Sequence, residues 1–261
     1  MKVVLFCGGE GMRIRDHKSA VPKPMVTVGN RPILWHVMKY YAHFGHKEFI
    51  LCLGYGAEAI KRYFLEYEEA VSNDFVLKRG GSERIMLGTD IDDWTITFVD
   101  TGFRSEIGER LRRAKEHIGE DEMFLANYAD GVTDLDLDAY VDQFRSLDKV
   151  GGFLAVRPPQ TYHVARIEDE ETTALGPIAE EDLWINGGYF VFRRGIFDYI
   201  EKGEDLVAGA FQRLIKERKL YAHRFQGFWS PMDTFKEQTY LDGLYKSVDA
   251  PWALWRNGHS E

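Results

Sequence analysis

Three glycines, Gly8, Gly9 and Gly11, follow the apolar run Val3-Val4-Leu5-Phe6 almost directly, and Arg13 closes the segment. Glycines at the end of a buried run let a backbone approach a ligand closely, and their free N–H groups can cradle phosphates. A Walker loop would need a lysine and a hydroxyl residue after its last glycine, and none is present. A dinucleotide fingerprint would need glycine where Ile14 stands, and an acid where the second apolar run ends in Gly54-Tyr55. The remaining pattern is G-G-x-G-x-R, followed by Pro22-Lys23-Pro24-Met25. Prolines on both sides restrict the backbone of Lys23, which suits a cation held at one place. A tight strand-to-helix turn and a solvated surface lysine are the structural alternatives. Two carboxylates stand out. Asp130 follows the apolar run Met123–Ala126 closely, where open α/β sheets place ligands, and Asp233 follows Pro231-Met232. The alternatives are a turn or cap for Asp130 and an N-cap of the last helix for Asp233.

These residues need a scaffold. KVVLF and EFILCLGY read as parallel strands buried on both faces. Between them RPILWHVMKYYAHFG has helical spacing, with Gly45 as terminator, and GAEAIKRYFLEYEEAVSN reads as a second helix. Residues 75–100 read as a β-hairpin or flap around Gly80-Gly81, then a strand with Trp94, Ile96 and Phe98 alternating. A basic helix (GERLRRAKEHIG), a strand (MFLANYADG), an amphipathic helix (DLDAYVDQFRSLD) and a strand (VGGFLAVR) follow. INGGYFVFRRGIFDYI reads as a strand running into a helix, and the aromatic tail from Gly227 as helical, packed on the core. The expectation is an α/β chain: a Rossmann-like three-layer sandwich with a mixed, mostly parallel sheet, plus a β-hairpin flap. It forms one domain over 1–261, in two halves of about 1–135, which carries the glycine-rich segment, and about 136–261.

Composition sets outer limits. The chain has 261 residues, 44% of them hydrophobic, enough for a sizeable core. With 33 Lys+Arg against 42 Asp+Glu the net charge is −9, which disfavours nucleic-acid and anionic-membrane partners. No apolar run is long enough for a membrane span, and the N-terminal stretch lacks the features of a secretory signal. Cys7 and Cys52, both in apolar runs, are expected as buried reduced thiols of a cytoplasmic protein.

GGEGMR…PKPM resembles the signature of the nucleoside-triphosphate:sugar-phosphate nucleotidyltransferases. PILWHVMKYYAHFGHKEFILCLGYGAEAIKRYF, SNDFVL, DWTITFVDTG, GERLRR, YADGVTD, WINGGYFVF and GFWSPMDT, in that order, resemble the glucose-1-phosphate cytidylyltransferases within that family. The resemblance implies CMP transfer from CTP to a sugar 1-phosphate, with Mg2+ as cofactor and a homo-oligomeric assembly. It implies Arg13 and Lys23 as catalytic cations on the triphosphate and the transferring phosphoryl group. Gly8, Gly9, Glu10, Gly11 and Met12 would form the nucleotide loop, with Arg110 helping to hold the nucleotide. Asp130 and Asp233 would ligate magnesium, Asp130 also lying against the nucleotide. Asn186 would lie on the sugar side with Gly187, and Tyr128 and His163 are further acceptor-side candidates. Two carboxylates converging on a nucleotide suit magnesium, which takes one or two carboxylates plus phosphates and water. The acceptor phosphate, with a second pKa of about 6, is already ionised at neutral pH, so in-line attack on the α-phosphorus needs no general base. Catalysis reduces to positioning and charge neutralisation.

The sequence also departs from its relatives. Met12 stands where threonine is usual, and Asn127 and Ala129 stand where threonine and glycine are more common. The Glu-Lys-Pro motif expected before Trp184-Ile185-Asn186-Gly187-Gly188 is replaced by Gly176-Pro177-Ile178, in an acidic stretch. A different phosphorylated acceptor is therefore a second reading. A nucleotide-sugar-binding protein without turnover is a third, opposed by the joint presence of Arg13, Lys23, Asp130 and Asp233. Arg157, Arg166 or protonated His163 are candidate replacements for the missing acceptor-side cation.

Overall fold

The structure, a computed structural model, describes residues 1–9, 21–158, 163–178, 181–247 and 249–256. β1 (Val3–Phe6) is buried at all four positions. After it come a 3-10 turn (Lys23–Met25), the short ribbon β2 (Thr27–Val28) and β3 (Arg31–Pro32), and α1 (Ile33–His43). β4 (Glu48–Leu53) and α2 (Ala57–Leu65) complete the βαβα start. The flap is the hairpin β5 (Phe75–Lys78) and β6 (Glu83–Met86), turned through Gly80 and Gly81 at positive φ. β7 (Thr95–Asp100), α3 (Ile107–Ile118), β8 (Met123–Asn127), β9 (Gly131–Thr133), α4 (Leu137–Arg145) and β10 (Gly151–Val156) follow. A second hairpin, β11 (His163–Glu168) with β12 (Glu171–Pro177), precedes β13 (Ile185–Asn186) and β14 (Phe190–Arg193). Then come α5 (Phe211–Lys216), β15 (Leu220–Phe225), β16 (Trp229–Pro231) and α6 (Phe235–Lys246).

The main sheet runs β7-β4-β1-β8, all parallel, then the antiparallel β14 with its continuation β13, then β10 and β15. Alternate residues of β1 enter opposite cores, as a two-sided strand requires. Val3 and Leu5 join α1 and α4 in one cluster, while Val4 and Phe6 join α3 and α5 in the other. The expected mixed, three-layer α/β architecture is what this sheet and its two covered faces form.

Several elements differ from the sequence reading. The second helix ends at Leu65 rather than continuing to residue 73. Arg31 Nη2 takes the Glu68 carbonyl (2.8 Å), and the Tyr67 hydroxyl is held between Trp35 Nε1 (2.8 Å) and Asp90 (3.0 Å). These tertiary bonds divert backbone and side chain from a further helical turn. The expected strand over INGGYFVF is broken by Gly188 and Tyr189, both at positive φ, and a 3-10 turn (Arg194–Asp198) follows instead of an α-helix. The tail begins with strand β16 before its helix. The β11–β12 hairpin and β15 were not legible in the acidic and basic stretches that form them.

The C-terminal Trp252 is fully buried, stacked on Phe228 at 5.6 Å and set against His36 of α1. Cys7 and Cys52 are free and buried, and burial pushes the Cys52 thiol up to about 12 and Cys7 well above its ordinary value. No helix among the described residues is long and apolar enough to cross a membrane.

Candidate active site

The carboxyl ends of the parallel strands form one rim, and Lys23, Asp130 and Asp233 meet on it. Pro22 is extended, and Lys23 opens the 3-10 turn with Pro24 behind it. That rigid frame sends the Lys23 ammonium across the rim, where it contacts Asp130 Oδ2 at 2.6 Å and Asp233 Oδ1. The lysine side chain is only 13% exposed. Burial alone would lower its pKa; the two carboxylates overcome that and hold it above the usual lysine value. For Asp130, burial raises the carboxyl pKa and the Asp233 charge adds to this, while Lys23 opposes both.

Each aspartate is free for this role because another residue does the local structural task. Thr234, not Asp233, caps α6: its side chain accepts from Glu237 N, and Glu237 returns a bond to the cap, forming a capping box. The Asp233 N–H also donates to Glu237 (2.7 Å), so the residue is fixed by its backbone and its carboxylate is left for Lys23. Asp130 follows Ala129, which adopts φ +64, with its N–H bonded to Asn127 Oδ1 at 2.8 Å. The left-handed turn ends β8 and swings the Asp130 carboxylate over the rim. Asn127 and Ala129, noted as departures, thus act together: the amide braces a conformation that glycine adopts without cost.

Gly8 and Gly9 lie at the end of β1 on the same rim. Glu10, Gly11, Met12 and Arg13 lie outside the described residues. Arg110 has a different place from that expected of a nucleotide ligand. It is 2% exposed, and its guanidinium donates to the carbonyls of Gly8 (3.0 Å), Leu53 (3.1 Å) and Phe103 (3.4 Å) and to Thr101 Oγ1 (2.8 Å). It therefore ties the ends of β1, β4 and β7 together. A Cβ on Gly8 would lie 2.0 Å from Arg110 Nη1, and one on Gly54 2.7 Å from it. The glycines at 8 and 54 make room for this buried cation, a role that reading Gly8 as a phosphate-cradling glycine and Gly54 as the end of an apolar run did not reveal.

On the other half of the rim Asn186 donates to the Tyr128 hydroxyl (3.1 Å) and accepts from Gly188 N (2.9 Å). Burial pushes Tyr128 up to about 12, so it is a neutral phenol, and its proton remains available to donate. Gly187 offers its carbonyl to Trp229 Nε1 (2.9 Å), and a Cβ there would meet Val156 and Trp229 at 3.1–3.2 Å. Trp229 is a residue the sequence reading missed as a support of this half. His163 opens the exposed β11–β12 hairpin opposite Pro177. Among the described residues no hydrogen bond or ion pair joins it to Tyr128 or Asn186. Gly176 and Pro177 end β12, and Arg157 and Arg166 are both engaged by the turn at residues 181–182.

The two aspartates share one ammonium partner, so their oxygens lie within about two hydrogen-bond lengths of each other, roughly 5 Å. Two carboxylates drawn to one ammonium form a cation site, and a modest closure to about 4 Å would let both bind one magnesium ion, with substrate phosphates completing its shell. Among the described residues no group of three or more acidic, histidine or cysteine side chains forms a self-sufficient metal cage.

Residues 2–246 match the family model described as nucleotidyl transferase, and the chain belongs to that family. It is 36% identical over 257 residues to the glucose-1-phosphate cytidylyltransferase of Salmonella typhi, covering 98% of this chain and 100% of the relative. The enzyme of the same name from Salmonella typhimurium matches equally well. A mannose-1-phosphate guanyltransferase from Gibberella zeae is 25% identical, covering 95% of this chain and 65% of that one. Among solved structures, UDP-glucose pyrophosphorylase complexed with UDP-glucose superposes with a TM-score of 0.67 at 14% identity, covering 95% and 98% of the two chains. HddC from Yersinia pseudotuberculosis complexed with GMP-PN gives 0.66 at 18% identity, covering 94% and 99%. These two likenesses show the fold.

Proposed function

We propose that this chain transfers CMP from CTP to a sugar 1-phosphate, glucose 1-phosphate foremost, releasing pyrophosphate and a CDP-sugar. The carrying observation is the convergence of Lys23, Asp130 and Asp233 beside Gly8 and Gly9 on the carboxyl rim. The full-length similarity to glucose-1-phosphate cytidylyltransferases supports the choice of base and acceptor.

Asp130 and Asp233 would hold Mg2+, which supplies neutralisation of the triphosphate charge. Lys23, held by its flanking prolines, places a second cation at the transferring phosphoryl group, and Arg13 a third. Arg110 keeps Gly8 fixed so that the loop amides face the phosphates. Tyr128 and Asn186, locked to one another, present a polar edge to the acceptor. The acceptor's own phosphate oxygen is the nucleophile, so no residue need remove a proton. The enzyme works as a homo-oligomer in the cytoplasm, where its two thiols stay reduced.

The replacement of Glu-Lys-Pro by Gly176-Pro177-Ile178 favours a second reading, in which transfer is retained but the preferred acceptor is another phosphorylated metabolite. Pyrophosphate release measured over CTP, UTP, dTTP and GTP with a panel of phosphorylated acceptors tests both. Fastest turnover with CTP and glucose 1-phosphate is the expected result. Fastest turnover with another acceptor selects the second reading, and no release with any pair removes nucleotidyl transfer. Activity undiminished in excess chelator would remove the metal.

A further inference from the structure

Three arginines surround the WINGG segment, and they are not equivalent. Arg157 donates to the Glu181 carbonyl, lies 3.3 Å from the Asp182 carboxylate and sits 4.5 Å over the Trp184 ring. Arg166 is paired with Glu181 at 2.7 Å. Both are neutralised by the turn that precedes Trp184. Arg224, near the end of β15, is exposed and touches the same indole, 5.4 Å from its centroid. Among the described residues no carboxylate pairs with it.

Strand register places Arg224 at the acceptor half of the rim. Ala155 of β10 pairs with Asn186 on one side and with Arg224 on the other. Residues in one row of a sheet project to one face, so Asn186 and Arg224 stand on the same side of the sheet. Tyr128 and Phe153 pack against the cluster under that face. The row spans two strand spacings from Asn186 to Arg224, about 10 Å, and three from β8, about 14 Å. The attacking phosphate must lie by Lys23 and Asp130, next to β8. An acceptor whose ring covers Tyr128 and Asn186 then turns its far end toward Arg224.

We propose that Arg224 selects the acceptor by binding an anionic group, a carboxylate or a second phosphate, at the end remote from the attacking phosphate. The inference rests on the nucleotidyl-transfer reading and adds the acceptor class. A guanidinium is suited to this because its planar fork matches either anion with two parallel hydrogen bonds, and its cation–π contact with Trp184 holds it in place. In a chain of net charge −9, with Glu168, Asp169, Glu170 and Glu171 in a row at the β11–β12 turn, an unpaired exposed cation is the feature that would favour a doubly charged acceptor.

The test is calorimetric binding to the full-length protein loaded with Mg2+ and a non-hydrolysable CTP analogue. Glucose 1-phosphate, glucuronic acid 1-phosphate and glucose 1,6-bisphosphate are the probes, compared for wild type, Arg224→Ala and Arg224→Lys. Wild type is expected to bind at least one doubly anionic probe about tenfold tighter than glucose 1-phosphate. Arg224→Ala should erase that preference while leaving glucose 1-phosphate within about twofold, and Arg224→Lys should keep part of it. Which probe gains distinguishes carboxylate from phosphate. Equal binding of all three probes by wild type overturns the proposal, as does equal weakening of all three by Arg224→Ala. Pyrophosphate release from CTP and glucose 1-phosphate, measured in parallel, scores the transfer reading separately. Its persistence alongside equal probe binding would reject Arg224 alone. Its absence with every acceptor, alongside charge-dependent binding, would reject transfer and keep the site.

Discussion

The two halves of the rim are built differently. On the nucleotide side, charge is concentrated and tied down. Lys23 bridges two carboxylates from residues 107 and 210 positions away, and a buried arginine locks three strand ends. On the acceptor side, neutral groups do the positioning: Asn186 with Tyr128, and Trp229 with the Gly187 carbonyl. Cations there are spent on the acidic turn at 181–182, apart from Arg224. The difference follows from what each half would hold. A triphosphate is recognised in any nucleotide by the same charges, so a rigid charged frame suffices. Acceptors differ in hydroxyl pattern and charge, so a polar surface with one unpaired cation can change without disturbing the chemistry.

Lys23→Ala gives the largest expected effect and breaks the charged half at its centre. Turnover with saturating CTP should fall by about 10²–10³-fold with the fold intact by circular dichroism. A fall of only a few-fold would take Lys23 out of the mechanism. Arg110→Met separates holding the loop from touching substrate. It removes the charged donor shared by the Gly8 and Leu53 carbonyls, which keep the Tyr55 and Thr101 N–H groups, so stability to urea should drop by about 1–3 kcal/mol. A variant as stable as wild type but inactive would instead return Arg110 to direct nucleotide contact.

Trp229→Phe probes the neutral half. It removes one hydrogen bond to Gly187, so the acceptor KM should rise several-fold, with the KM for CTP unchanged and a stability loss of about 1 kcal/mol. A change in the CTP constant would mean that the halves are not separable. The smallest effect is at the joint between them. Ala129→Gly removes a left-handed strain of about 1–2 kcal/mol but adds unfolded-state entropy of similar size. Stability should shift by less than about 1 kcal/mol and activity should be kept, whereas Ala129→Val should lose both.

Much of the charged half was legible because its parts carry strong local signals: glycines ending a buried run, a lysine between prolines, and an aspartate just after an apolar strand. The parallel order of the first strands was legible for the same reason, since two-sided burial leaves continuous apolar runs. The β11–β12 hairpin and β15 left no such mark. The hairpin's strands are mostly exposed, and β15 lies at the sheet's edge, so neither needs a clean apolar pattern.

The sequence by itself determined the α/β class, the nucleotidyl transferase family and the residues able to carry charge at the site. Only the tertiary structure decided which of them meet. Helix capping falls to Thr234 and leaves Asp233 for Lys23. Arg110 goes beneath the strand ends because Gly8 and Gly54 leave room for it. Arg157 and Arg166 are consumed by carboxylates, and Arg224 is not. The physical reason is that a side chain's type is a local property, whereas its partners depend on strand order and register, which bring together residues far apart in the chain.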